Sequence, residues 1–284
     1  MLPSSFVAVD WSGALRGERR KIWLAEAREG RLVRLEDGRT REQVIGELVA
    51  SAARERSLVA GLDFAFSFPL WFLREHGAAS APAMWAVALE RGERWLGDCA
   101  PPFWGRSERR LPRDPRARWR RTESEHPARI QPKSVFQIGG AGSVGTGSVR
   151  GMPHLARLRS AGFAIWPFDE PRLPLAIEIY PRFLTGPVNK RRRAARELYL
   201  QNHCGREDPA LLSLAASSED AFDAAVSALV MSRHAPSFAR LHVLDELDYR
   251  MEGRIWRPPE VERTFLPTSA ADDSTLGSRS AQAT

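Results

Sequence analysis

The chain opens with an apolar run, Phe6 to Val9, that stops at Asp10, and Ser12-Gly13 follows as a turn. Lys21 to Ala27 alternates around Ile22 and Leu24, Glu29-Gly30 turns the chain, and Arg31 to Leu35 alternates again. Period-two alternation interrupted by turn residues predicts three strands joined antiparallel. Thr40 then offers an N-cap, with Val44, Ile45, Leu48, Val49 and Ala52 following at helical spacing. Ser57 to Leu62 predicts a fourth strand, ending at Asp63. The order so far is β-β-β-α-β.

Further along, Pro69 opens a short apolar helix through Leu73, and Ala83 to Leu96 forms another. Residues 98 to 135 are rich in proline and arginine and show no period, so a long loop is expected there. With the glycine-rich stretch that follows, it makes an insertion at about 98–150. A helix is expected from about Pro153 to Ser160. Strands are expected at Phe163 to Phe168 and Leu175 to Tyr180, and helices at Lys190 to Gln201 and Ser218 to Ser232. The pattern predicts a single α/β domain over residues 1–266, with a mixed sheet of three antiparallel and then parallel strands flanked by helices. The Ser-, Ala-, Asp- and Thr-rich residues 267–284 are expected to be a disordered tail.

Composition adds little to the fold but narrows the class. A 43% hydrophobic share with nine tryptophans, in 284 residues, supports a sizeable core. No window offers 18 uncharged apolar residues, so no membrane span is expected. The N-terminus has no basic n-region, and Cys99 and Cys204 form no C-x-x-C, so the expectation is a cytoplasmic protein without disulfides. The net charge of +7 rests on 39 arginines and only three lysines, which reads as genome composition. Clustering says more. Arg106 to Arg121 holds eight arginines against Glu108 and Asp114, with Trp119 interleaved, and Lys190 to Arg193 is a second basic run. Such patches suit a polyanion such as DNA or RNA, or equally a solvated loop and a solvated helix face.

Gly140, Gly142 and Gly145 fit the dinucleotide fingerprint G-x-G-x-x-G, with Asp169 placed roughly where a ribose-binding acid would fall. That fingerprint needs its third glycine to open a helix. Gly147, Gly151 and Pro153 fall where the helix should run, and interior glycine costs about 1 kcal/mol and proline about 3 relative to alanine. The helix is therefore expected to start near Pro153, and no dinucleotide cofactor is expected. The glycine amides remain able to form an anion nest.

The carboxylates carry a sharper signal. Asp10 ends the first strand, Asp63 ends the fourth, and Glu178 lies within the late strand, each among apolar neighbours. An ionised group there is costly unless paired or metal-bound. In the last predicted helix Asp223 shares a face with Val226 and Val230, while Ala221, Ala224, Ala225 and Ala228 allow close approach to a sheet. Asp220 has a local explanation, because Ser217 and Asp220 match a capping pattern. Crowded carboxylates repel, and a divalent ion is one remedy. An all-oxygen set favours Mg2+ or Mn2+ over zinc, and such ions suit phosphodiester hydrolysis.

Three antiparallel strands, helix, strand, then further helix, strand and helix is the chain order of the ribonuclease H-like fold. The segments VAVDWSG, GLDFAFSFP, PKSVFQIGGAGSVGTGSVRGMP, WPFDEP, EIYPR and SEDAFDAAVSAL resemble those of the DUF 429 family, over about residues 5 to 235. That family is described as predicted ribonuclease H-like nucleases. The resemblance implies a metal-dependent nuclease in which Asp10 bridges metals and Asp63, Glu178 and Asp223 complete the shell, with Glu178 and Asp220 alternatives for one place. Lys133 and Arg182, each adjacent to a family-like segment, are candidate phosphate contacts or equally structural salt bridges, and Ser12, Gly140 and Gly142 are candidate substrate contacts of the two loops. Two other readings stay open: an actin- or sugar-kinase-like ATP-binding phosphotransferase on the same core, and a non-enzymatic nucleic-acid-binding module.

Overall fold

The computed structural model describes residues 2–106, 118–125, 130–140, 142–259 and 261. Six strands form one mixed sheet: β1 (Ser5–Asp10), β2 (Trp23–Arg28), β3 (Arg31–Glu36), β4 (Leu58–Leu62), β5 (Ala164–Ile165) and β6 (Leu175–Glu178). Their spatial order is β3-β2-β1-β4-β6-β5. The β1–β2 and β2–β3 pairs are antiparallel, and β1–β4, β4–β6 and β5–β6 are parallel. The chain is thus an α/β protein whose sheet begins antiparallel and continues parallel, as its hydrophobic pattern predicts.

Strand alternation divides the core. Val7 and Val9 face one side, packing with helices α1 (Arg41–Arg54), α2 (Leu70–Glu75), α3 (Ala81–Asp98) and α5 (Gly145–Ser160). Phe6 and Ala8 face the other, packing with α7 (Arg193–Cys204), α8 (Pro209–Ala215) and α9 (Glu219–Arg233). Helix α1 is capped as predicted: Thr40 Oγ1 accepts from Gln43 N, and Gln43 Oε1 accepts from Thr40 N. Helix α9 lies across β1, β2 and β3. Its alanines 221, 224, 225 and 228 are all buried, so close approach is what they provide.

Five expectations need correction. The segment 98 to 135 is not featureless where it is described: it carries α4 (Arg121–Ser124) and buries Phe103 and Trp104. Phe103 and Phe136 stand 5.3 Å apart within an aromatic cluster that includes Phe68, Phe72 and Trp95. Helix α5 begins at Gly145, eight residues before Pro153, and runs through Gly147, Gly151 and Pro153. Tertiary packing overrides propensity here: a Cβ at Gly151 would lie 2.7 Å from the Phe64 ring, so only glycine permits this approach. The late strands β5 and β6 are shorter than predicted, and α7 begins at Arg193, not Lys190. Short helices α6 (Pro181–Thr185), α8, α10 (Ala235–Phe238) and α11 (Leu247–Glu252) were not expected. The predicted tail, and most of the Arg106–Arg121 cluster, lie outside the described residues. Both cysteines are free, and no helix among the described residues is long and apolar enough to cross a membrane.

Candidate functional site

Parallel pairing brings the first two acids together. Val9 is in register with Leu62, and Asp63 N donates to Val9 O at 3.1 Å, so Asp10 and Asp63 sit side by side at the ends of β1 and β4. Parity then fixes direction. Residues 6, 8 and 10 point to the α9 side of the sheet, and Asp223, on α9, faces them from above. All three line a single cavity of about 1130 Å3, together with Asp220. Asp10 and Asp223 are buried and Asp63 is half-buried.

Glu178 is not brought to this cluster. It is in register with Leu62, one residue short of Asp63, and so points to the opposite face of the sheet. There its carboxylate receives Arg120 Nη2 at 2.5 Å and Nη1 at 2.8 Å, and Phe66 N at 2.9 Å. Arg120 also donates to Glu123 through Nε at 2.9 Å. One guanidinium therefore serves two buried carboxylates, and burial pushes Glu123 up to about 7. This network anchors the residue 118–125 segment to the sheet. Asp220 takes the place in the cavity that Glu178 does not, and its local explanation fails. The N-cap of α9 is Ser218, whose Oγ accepts from Ala221 N, while Ser217 Oγ donates to Leu214 O.

The electrostatics of the cluster are strained by its own charge. Burial, then repulsion from Asp63, Asp223 and Asp220, holds Asp10 well above the usual carboxylate range. Burial and the Asp223 charge do the same to Asp63. Asp223 is pushed up to about 6 by burial, with Lys190 opposing. Lys190 Nζ is hydrogen-bonded to Asp223 Oδ2, and the other oxygen, Oδ1, is buried without a partner. Sequence reasoning missed Lys190, because it reads as the first residue of a charged run opening a helix. Among the described residues no three His, Cys, Asp or Glu side chains are grouped closely enough to hold one metal ion as they stand. The chemistry of the donors is nonetheless the kind a hard divalent ion uses. All are carboxylate oxygens, all three aspartates are disfavoured as anions, and one buried oxygen is unpartnered. The residues that would hold such an ion are Asp10, Asp63 and Asp223, with Asp220 beside them.

The remaining candidates divide. Ser12, Gly142, Lys133 and Arg182 line the cavity, whereas Gly140 does not. Gly142 adopts φ +71°, and Lys133 Cε lies 3.4 Å from where its Cβ would be, so the lysine stem runs along the glycine loop. Arg182 is engaged by Val188 O. The side chains of Lys21, Lys133 and Arg191, which also line the cavity, make no hydrogen bond or ion pair among the described residues, and the Lys21 charge favours ionised Asp220. The β1–α5 contact completes the wall. A Cβ at Gly13 would lie 2.4 Å from Gly147 N, so the loop after Asp10 and the first turn of α5 touch backbone to backbone. Asp169 lies apart, paired with Arg159 at 2.7 Å and accepting from Ile165 N at 3.0 Å. Comparison with known proteins brings no relative to this geometry: no family model, no characterised protein and no solved structure matches the chain.

Proposed function

We propose that the chain is a metal-dependent hydrolase of nucleic-acid phosphodiester bonds on a ribonuclease H-like sheet, as its resemblance to the DUF 429 family implies. The observation that carries this reading is the convergence of Asp10, Asp63 and Asp223 from two adjacent parallel strands and a facing helix into one cavity. The strand order, with the acids at the ends of its central pair, also supports it. A bound Mg2+ or Mn2+ supplies Lewis-acid stabilisation of charge on the scissile phosphate and an activated water. The chain's own part is to present the carboxylates on rigid elements and to hold the substrate with the cavity cations Lys133, Lys21 and Arg191. Incubating the protein with single-stranded, duplex and branched DNA and RNA tests this. Cleavage dependent on Mg2+ or Mn2+ and abolished by chelation is expected; no cleavage of any substrate would sink the reading.

One observation favours the phosphotransferase alternative. The N-terminus of α5, a sixteen-residue helix, opens onto the same cavity beside the Ser12-Gly13 loop, and helix N-termini attract phosphates. Calorimetry separates the two: this alternative predicts saturable ATP binding, and the nuclease reading predicts none.

A further inference from the structure

All three lysines of the chain, Lys21, Lys133 and Lys190, line the carboxylate cavity. The protein otherwise uses arginine for its basic positions, 39 of 42. Lysine here is therefore a departure from the chain's own habit, and the two side chains differ in a way that bears on the site. A guanidinium forks bidentately onto a carboxylate and stays; an ammonium is a compact point charge on a flexible stem.

Lys190 is the lysine that touches the acids. Its ammonium bonds Asp223 Oδ2, and its charge counters all four aspartates of the cavity, Asp10, Asp63, Asp220 and Asp223. The adjacent oxygen, Asp223 Oδ1, is buried and unpartnered, so the pairing leaves the cluster only half satisfied. We propose that Lys190 is the resident counter-ion of this cluster, a displaceable lysine that holds the place of a divalent cation and competes with it for Asp223. This rests on the metal-dependent reading of the site and adds to it an internal competitor that sets metal affinity. Lys190 is a positioning residue in the metal-free protein. On metal entry its ammonium leaves Asp223 and joins the cations facing the substrate phosphate.

The test is Mn2+ binding by calorimetry to the full chain, comparing wild type with Lys190→Met and Lys190→Arg. Removing the competing charge is expected to tighten binding roughly tenfold in Lys190→Met, since Asp223 loses the cation bonded to it. In Lys190→Arg the bidentate fork holds Asp223 and binding weakens by a similar factor. A merely structural ion pair predicts the reverse: Arg would be tolerated and Met would loosen the site. Equal affinity in all three proteins, or weaker binding in Lys190→Met, overturns the proposal while leaving the metal site standing. No Mn2+ binding in any of the three overturns the metal reading itself. With only three lysines, NMR of ammonium or reductively methylated lysine signals gives a second readout on the wild type. Mg2+ should shift and sharpen the Lys190 signal; an unmoved Lys190 signal at saturating Mg2+ argues against displacement.

Discussion

Replacing Asp10 by Asn should move activity and stability in opposite directions. The carboxylate is buried and repelled by three others, so removing its charge relieves the metal-free fold. We expect a rise in melting temperature without metal of about 2–4 °C, the size of a 1 kcal/mol gain. Metal-dependent cleavage should fall on the order of a hundredfold or more, since even an outer-shell partner of a metal ligand is worth 10–100-fold. An Asp10→Asn protein that is both less stable and equally active would make Asp10 a structural residue. Glu123 gives the opposite kind of case, a buried acid with a structural role. Its folded value of about 7 lies above the unfolded value near 4.5, so ionisation opposes folding. The stability of the protonated form is present at low pH and lost as pH rises towards and past about 7. Glu123→Gln stays neutral, so its stability relative to wild type should improve between pH 5 and pH 8, by about 3 kcal/mol at most. Denaturant melts at the two pH values check it. At this scale Asp10, Asp63 and Asp223 were legible because each interrupts an apolar run. Glu178 looked equivalent, and only the strand register reveals that it faces the other way.

Among the elements, the junction of β1 and α5 deserves the closest test. Gly13 approaches Gly147 N so closely that any Cβ forces backbone to move. Gly13→Ala should therefore cost about 1–3 kcal/mol in denaturant unfolding, as overpacking does. A variant within 0.5 kcal/mol of wild type, the range of an ordinary surface change, would mean the loops do not meet. The start of α5 was hidden in sequence because glycine and proline count against a helix, whereas here the glycines admit Phe64 and the Gly13 loop. Strands β1 to β4 and helix α1 were readable, since alternation, turn residues and a capping box agree. Helices α8, α10 and α11 were not: four to seven residues are too few to show a period. The buried aromatics Phe103, Trp104 and Phe136 were masked by the prolines and arginines around them.

For the whole molecule, the claim is that buried acids and exposed cations share one cavity. Among the described residues Lys133, Lys21 and Arg191 are cations of the cavity that make no hydrogen bond or ion pair, so they are available to phosphate. Lys133→Ala should weaken binding of nucleic acid about equally across sequences and reduce the slope of log K against log salt by about 1. Fluorescence anisotropy at several salt concentrations measures this, and an unchanged slope would remove Lys133 from the interface. In sequence the basic cluster suits a polyanion or equally a solvated loop, yet at least three of its arginines serve the fold, Arg106 by donating to Leu96 O and Ile138 O. Arg120 is buried on Glu178, and Arg121 pairs with Glu125 over the Tyr249 ring. The most direct measurement of the central claim is the anomalous scattering of Mn2+ soaked into crystals of the wild type. The account predicts a peak about 2.1 Å from oxygens of Asp10 and Asp223, with Lys190 Nζ withdrawn from Asp223. Empty density at high Mn2+, with Lys190 still bound to Asp223, would contradict it.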